Sequence, residues 1–153
     1  MLQEILAQAP WTTGHVHMYG KSVLQPRSYC YMADDRSKGY MYTGNQLHVE
    51  PWLPCVLPLK QLAEQACGER FNSCLVNLYR DGAQHVSWHA DDERVYAKDS
   101  TICSVSLGQA RDFQLREKAN HANRRSYALG NGDLFVMAGA SACPGRSSTA
   151  FAC

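Results

Sequence analysis

From Phe71 onward the chain is a series of short strand-like runs, and this restricts it to a largely β architecture. CLVNLY (74–79), TICSVSL (101–107), DFQLRE (112–117) and DLFVMAG (133–139) are parted by turns rich in Gly and Asn. In TICSVSL, Ile102, Ser104 and Ser106 fall on one side of a strand and Cys103, Val105 and Leu107 on the other. Only LPLKQLAEQAC (57–67) reads as a good helix. Pro58 suits its first turn, Gly68 suits the position after its end, and Leu59, Leu62, Ala63 and Ala66 recur at helical spacing. The first third, with WTTGHVHMYGK, QPRSYCYM and GYMYTGN, is rich in aromatics, Gly and Pro and reads as short strands and loops. One helix against many strands predicts a mainly β (α+β) fold, a β-sandwich or jelly roll with a supporting helix. The tail ASACPGRSSTAFAC (140–153) offers no alternation and is expected to be irregular.

Bulk numbers narrow the function classes only slightly. At 153 residues and 45% hydrophobic content, one domain with one core is the default. A net charge of +1 announces no nucleic-acid binder and excludes none that uses a local basic patch. The seven cysteines (30, 55, 67, 74, 103, 143 and 153) form no CxxC pair and read as reduced thiols of a cytosolic or nuclear protein. No apolar run is long enough for a transmembrane helix, and Met1 to Pro10 lacks the basic start of a signal peptide.

The stretch VSWHADDE (86–93) carries the first chemical signal. On a strand, residues two apart share a face, so His89 and Asp91 can reach one ion together. A His-x-Asp pair with a distant His is the facial triad of non-heme Fe(II) oxygenases, in which three protein ligands leave three positions open. Alone the pair is weak, and an exposed turn with solvated acids is the competing reading.

The surroundings strengthen it. NSCLVNLYRDG (72–82), VSWHADDE, STICSVSLGQARDFQLR (100–116) and GNGDLFVMAG (130–139) stand in a fixed order. The series resembles the AlkB-type Fe(II)/2-oxoglutarate dioxygenases that dealkylate nucleic-acid bases. It is similar above all to the nuclear DNA-repair branch, with its N-x-Y-x-D-G, H-x-D-D-E and A-S-V/L-S-L/F-G-x-x-R-x-F patterns. The upstream YGK (19–21), PR (26–27) and YMYTG (40–44) follow the same order, so the resemblance covers residues 15 to 139.

The resemblance implies a double-stranded β-helix that binds Fe(II) and uses 2-oxoglutarate as co-substrate. It implies His89 and Asp91 as iron ligands, and Asn77 and Tyr79 as hydrogen-bonding partners of 2-oxoglutarate. Substrate contacts would come from Tyr19, Gly20 and Lys21, from Tyr40, Met41 and Tyr42, and from Asp92 and Glu93. Tyr42 would stack on a flipped base, with His89 on its other face. The implied partner is alkylated DNA, with RNA as the alternative, in the nucleus or cytosol; no membrane and no obligate protein partner are expected. Arg111, Arg116, Lys118, Arg124 and Arg125 are candidates for phosphate contacts, or else ordinary surface charges.

The family's third ligand is a histidine shortly after the strand that matches GDLFVMAG, followed by an R-x-N-x-S/T-F-R motif whose arginines anchor 2-oxoglutarate. The histidines here are 15, 17, 48, 85, 89 and 121, and the tail contains neither element. His121, in KANHANRR, is expected to be a solvated loop residue rather than a replacement. The expectation is therefore an incomplete family domain over 1–139, lacking its final strands, with a non-family tail over 140–153. Its alternative function is a catalytically inactive, truncated form or a nucleic-acid-binding remnant.

Overall fold

The computed structural model describes residues 1–18, 20–37, 40–42, 45–89, 101–137 and 149–152, with the backbone alone for 16–18, 40–42, 45–46 and 149–152. They form two compact units, Met1–His85 and Val86–Cys153. Among the described residues strands predominate, with two helices, so the fold is α+β. Among the described residues no helix is long and apolar enough to cross a membrane.

The first unit begins with α1 (Leu2–Gln8), a helix that the sequence reading did not expect. Seven residues give too few turns for a periodic stripe to register. Tertiary contact holds it instead: Ile5 is buried, and the Trp11 indole N–H donates to the Leu6 carbonyl at 3.0 Å. Glu4 sits in the first turn, where the helix dipole favours an acid, and pairs with the Met1 amino group.

Two hairpins follow from the Gly-rich, aromatic first third. Strands β1 (His15–Met18) and β2 (Lys21–Leu24) pair antiparallel across Gly20, whose φ of 73° requires the left-handed region. Strands β4 (Tyr40–Tyr42) and β5 (Asn45–Leu47) pair likewise, Met41 opposite Gln46. The core strand is β3 (Ser28–Ala33), paired antiparallel with β6 (Ser73–Leu78). Met32 of β3 is fully buried, and its sulfur accepts the Leu53 N–H.

Helix α2 (Leu57–Cys67) has the bounds its sequence predicts, with Pro58 in the first turn and Gly68 in the left-handed conformation at its end. Its inward face differs from the expected one. Val56 and Ala63 are buried and Leu59 is half-buried, whereas Leu62 is 60% exposed and Ala66 is exposed. The stripe has turned toward Lys60 and Glu64, whose ion pair at 2.8 Å lets two charged side chains lie half-buried beside Ala63.

The second unit contains two small sheets. Strand β7 (Ile102–Val105) pairs with β10 (Leu134–Met137), which places Phe135 opposite Ser104. Strand β8 (Arg111–Glu117) lies between β9 (Arg124–Leu129) and β11 (Thr149–Ala152). Phe113 and Tyr127 are directly opposite across β8 and β9, and both rings meet Phe135, at 4.9 and 5.0 Å between centroids. These tilted ring pairs join the two sheets over the unit's core residue Phe113.

Two of these strands lie where the sequence suggested none. Strand β9 begins in the polar run that read as a connection, and β11 lies in the tail that read as irregular. Both are held by backbone pairing to β8, which needs no alternation of side chains. The turn GNGD (130–133) docks on Ser106 to Gly108. Asn131 accepts the Gly108 N–H at 2.9 Å, and the Asp133 carbonyl accepts the Ser106 N–H at 2.9 Å.

Candidate metal centre

His89 ends the described part of VSWHADDE and is half-buried. Its Nδ1 lies 2.9 Å from the Ser87 carbonyl oxygen. A carbonyl only accepts, so Nδ1 is the donor in this contact. Metal-binding imidazoles are commonly oriented in this way, with one ring nitrogen donating to a backbone carbonyl. His85 is arranged in the same way, Nδ1 lying 2.9 Å from the Ala83 carbonyl. Imidazole nitrogen suits divalent iron, so His89 remains a candidate ligand for that ion.

The residue before His89 is anchored at long range. The Arg116 guanidinium carbon lies 4.1 Å from the Trp88 ring centroid. Arg116 Nε is buried and has no hydrogen-bond partner among the described residues. Sequence reading grouped Arg116 with candidate phosphate contacts and missed this stack; the signal available was the Trp directly preceding the His. Of the others in that group, Arg111 is half-buried, and Lys118, Arg124 and Arg125 are exposed.

Asn77 and Tyr79 belong to the first unit. Asn77 is exposed on β6, opposite Tyr29, and shares its strand face with Leu75 and Ser73. Tyr79 lies one residue beyond the strand and is half-buried, so strict alternation ends just before it. The chain then turns at Asp81, whose carboxylate accepts the N–H groups of Ala83 and Gln84, while Gln84 Oε1 accepts the Arg80 N–H. This local Asx turn is a physical reason for the Asp-Gly of N-x-Y-x-D-G.

The remaining site candidates are placed unevenly. Gly20 is the β1–β2 turn and Lys21 is exposed at the start of β2. Tyr40, Met41 and Tyr42 make up β4. Tyr19, Asp91, Asp92 and Glu93 lie outside the described residues. Among the described residues no group of three or more His, Cys, Asp or Glu comes together as a metal site. His121 is exposed in the turn between β8 and β9, as its sequence context predicts.

Comparison with known proteins gives the class. The pattern of the 2OG-Fe(II) oxygenase superfamily matches residues 1–142. The chain belongs to that superfamily, and within it to the AlkB family. The match takes in α1 as well as the motif-bearing strands. The DNA oxidative demethylase ALKBH2 of Arabidopsis thaliana is 33% identical over 158 residues, covering 85% of this chain and 49% of the relative. ALKBH2 of Homo sapiens is 32% identical over 147 residues, covering 90% and 56%. The alpha-ketoglutarate-dependent dioxygenase alkB homolog 3 of Rattus norvegicus is 36% identical over 110 residues, covering 65% and 37%. The chain thus spans about half the length of the ALKBH2 relatives it matches.

Proposed function

We propose that this chain is the iron-binding part of an oxidative demethylase of alkylated nucleic-acid bases, with DNA as the favoured substrate. The observation that carries the reading is His89, its Nδ1 oriented by the Ser87 carbonyl, set inside a family match that runs to residue 142. His89 and Asp91 would hold Fe(II), and Asn77 and Tyr79 would hydrogen-bond 2-oxoglutarate. When bound, the iron would couple molecular oxygen and the decarboxylation of 2-oxoglutarate to succinate and carbon dioxide with hydroxylation of an N-linked methyl carbon, which then leaves as formaldehyde. The chain's own residues orient the reactants. Tyr42 and His89 would sandwich an extruded base, with Tyr40, Asp92 and Glu93 at its polar edge and Met41 among the substrate contacts. Tyr19, Gly20 and Lys21 would contact the strand beside it. The expected architecture is a jelly roll, of which the Phe113–Phe135–Tyr127 contact would form the inner seam.

A second reading is binding without turnover. Succinate formation with Fe(II), 2-oxoglutarate and a methylated oligonucleotide separates the two. Turnover that His89→Ala abolishes supports the enzyme. Retention of the oligonucleotide with no succinate formed supports the binding reading.

A further inference from the structure

His89 and its neighbour Trp88 make contacts of two kinds. The Nδ1 bond to Ser87 is local and orients the ring against its own backbone. The stack of Arg116 on Trp88 spans 28 residues and ties the segment to a sheet. Arg116 lies on the middle strand of three, with its backbone register fixed on both sides, opposite Arg124 on β9 and Ala150 on β11.

This stack has local costs. Two arginines directly opposite across an antiparallel pair repel. A buried Nε–H with no partner among the described residues carries a desolvation penalty. Stability alone favours an apolar residue there. The Trp88 ring offsets part of these costs, because a desolvated cation over an aromatic face is attracted more strongly than an exposed one. Local rules broken one residue from a metal-binding imidazole point to a positional role.

We propose that Arg116 is a positioning residue: stacked on Trp88, it fixes where the His89 imidazole is presented to the metal. This rests on the reading that His89 binds iron.

The test is anaerobic titration of the full chain with Co(II), whose visible absorption reports both affinity and coordination geometry. Wild type, Arg116→Met, Arg116→Lys, Trp88→Leu and His89→Ala are compared, each with its urea midpoint. Arg116→Met and Trp88→Leu are expected to weaken Co(II) binding by about 10-fold or more and to alter the absorption bands. Arg116→Lys, which keeps a cation over the ring, is expected to recover most of the affinity. Urea midpoints close to wild type would separate positioning from folding.

Unchanged affinity and spectrum in Arg116→Met, with His89→Ala unable to bind, would overturn the positioning role and leave the metal reading intact. Failure of both Arg116→Met and Trp88→Leu to fold would make the stack structural and also overturn it. Failure of Arg116→Lys to recover affinity lost in a folded Arg116→Met would count against the cation. Equal Co(II) binding by His89→Ala and wild type, or none by wild type, would overturn the reading of His89 itself.

Discussion

The carboxylate of Glu64 accepts the backbone N–H of Phe71 at 2.9 Å, so the last turns of α2 are tied to the approach of β6. The same oxygen accepts Lys60 Nζ at 2.8 Å, one helical turn back. The helix and the strand that carries Asn77 are thereby joined through one charged group.

That group sets a pH dependence. The hydrogen bond from Lys60, and then that from Phe71, hold the Glu64 carboxyl below its ordinary pKa of 4.5. A lowered folded pKa means that the ionised form is favoured by folding. The contribution is present above 4.5 and is lost as pH falls through the lower folded value. Urea midpoints at pH 7 should be higher for wild type than for Glu64→Gln, and the gap should be smaller at a pH below 4.5. A gap of the same size at both pH values would show that the charge is not responsible.

Met32 is the fully buried side chain of the first unit, and cavity formation should dominate its replacement. Met32→Ala is expected to cost about 2–5 kcal/mol, and Met32→Leu less than about 1.5 kcal/mol. Urea denaturation of the three proteins gives the comparison. Equal midpoints for Met32→Ala and wild type would contradict the packing described.

Cys30 of β3 and Cys74 of β6 lie on one sheet face, since Cys74 is opposite Met32 and Met32 shares that face with Cys30. Burial pushes each thiol from 9.0 up to about 11, with Glu50 adding to the effect at Cys30 and Cys30 adding to it at Cys74. A raised folded pKa favours the protonated form, so this contribution is complete below pH 9 and is lost as pH rises toward 11. Stability should fall over that window and fall less in a Cys30→Ala, Cys74→Ala double variant. At pH 8 both thiols should resist a thiol-reactive dye until urea unfolds the chain.

The two histidines that flank β8 in sequence should behave oppositely. His89→Ala should lower divalent-metal affinity by more than about 100-fold, beyond what loss of a supporting contact costs. His121→Ala should leave it unchanged, since His121 is exposed in the β8–β9 turn. Metal titration of both variants decides this, and a large effect at His121 would reassign the ligand.

Sequence by itself determined the elements that local chemistry dictates. Helix α2 starts at its Pro and stops at its left-handed Gly because those residues carry their backbone preferences wherever they stand. The β-rich second half and the turn GNGD were legible for the same reason. The order of motifs indicated the family, and the match over residues 1–142 places the chain in it. Only tertiary structure decided the rest. It turned α2 so that Leu62 is exposed, because the Lys60–Glu64 pair can be half-buried once both charges are satisfied. It made helix α1, β9 and β11 from segments with too little pattern to announce them, by docking Ile5 and by pairing backbone to β8. It also brought Arg116 onto Trp88 across 28 residues. Side-chain contacts over such separations depend on the register of strands, which composition and periodicity do not encode.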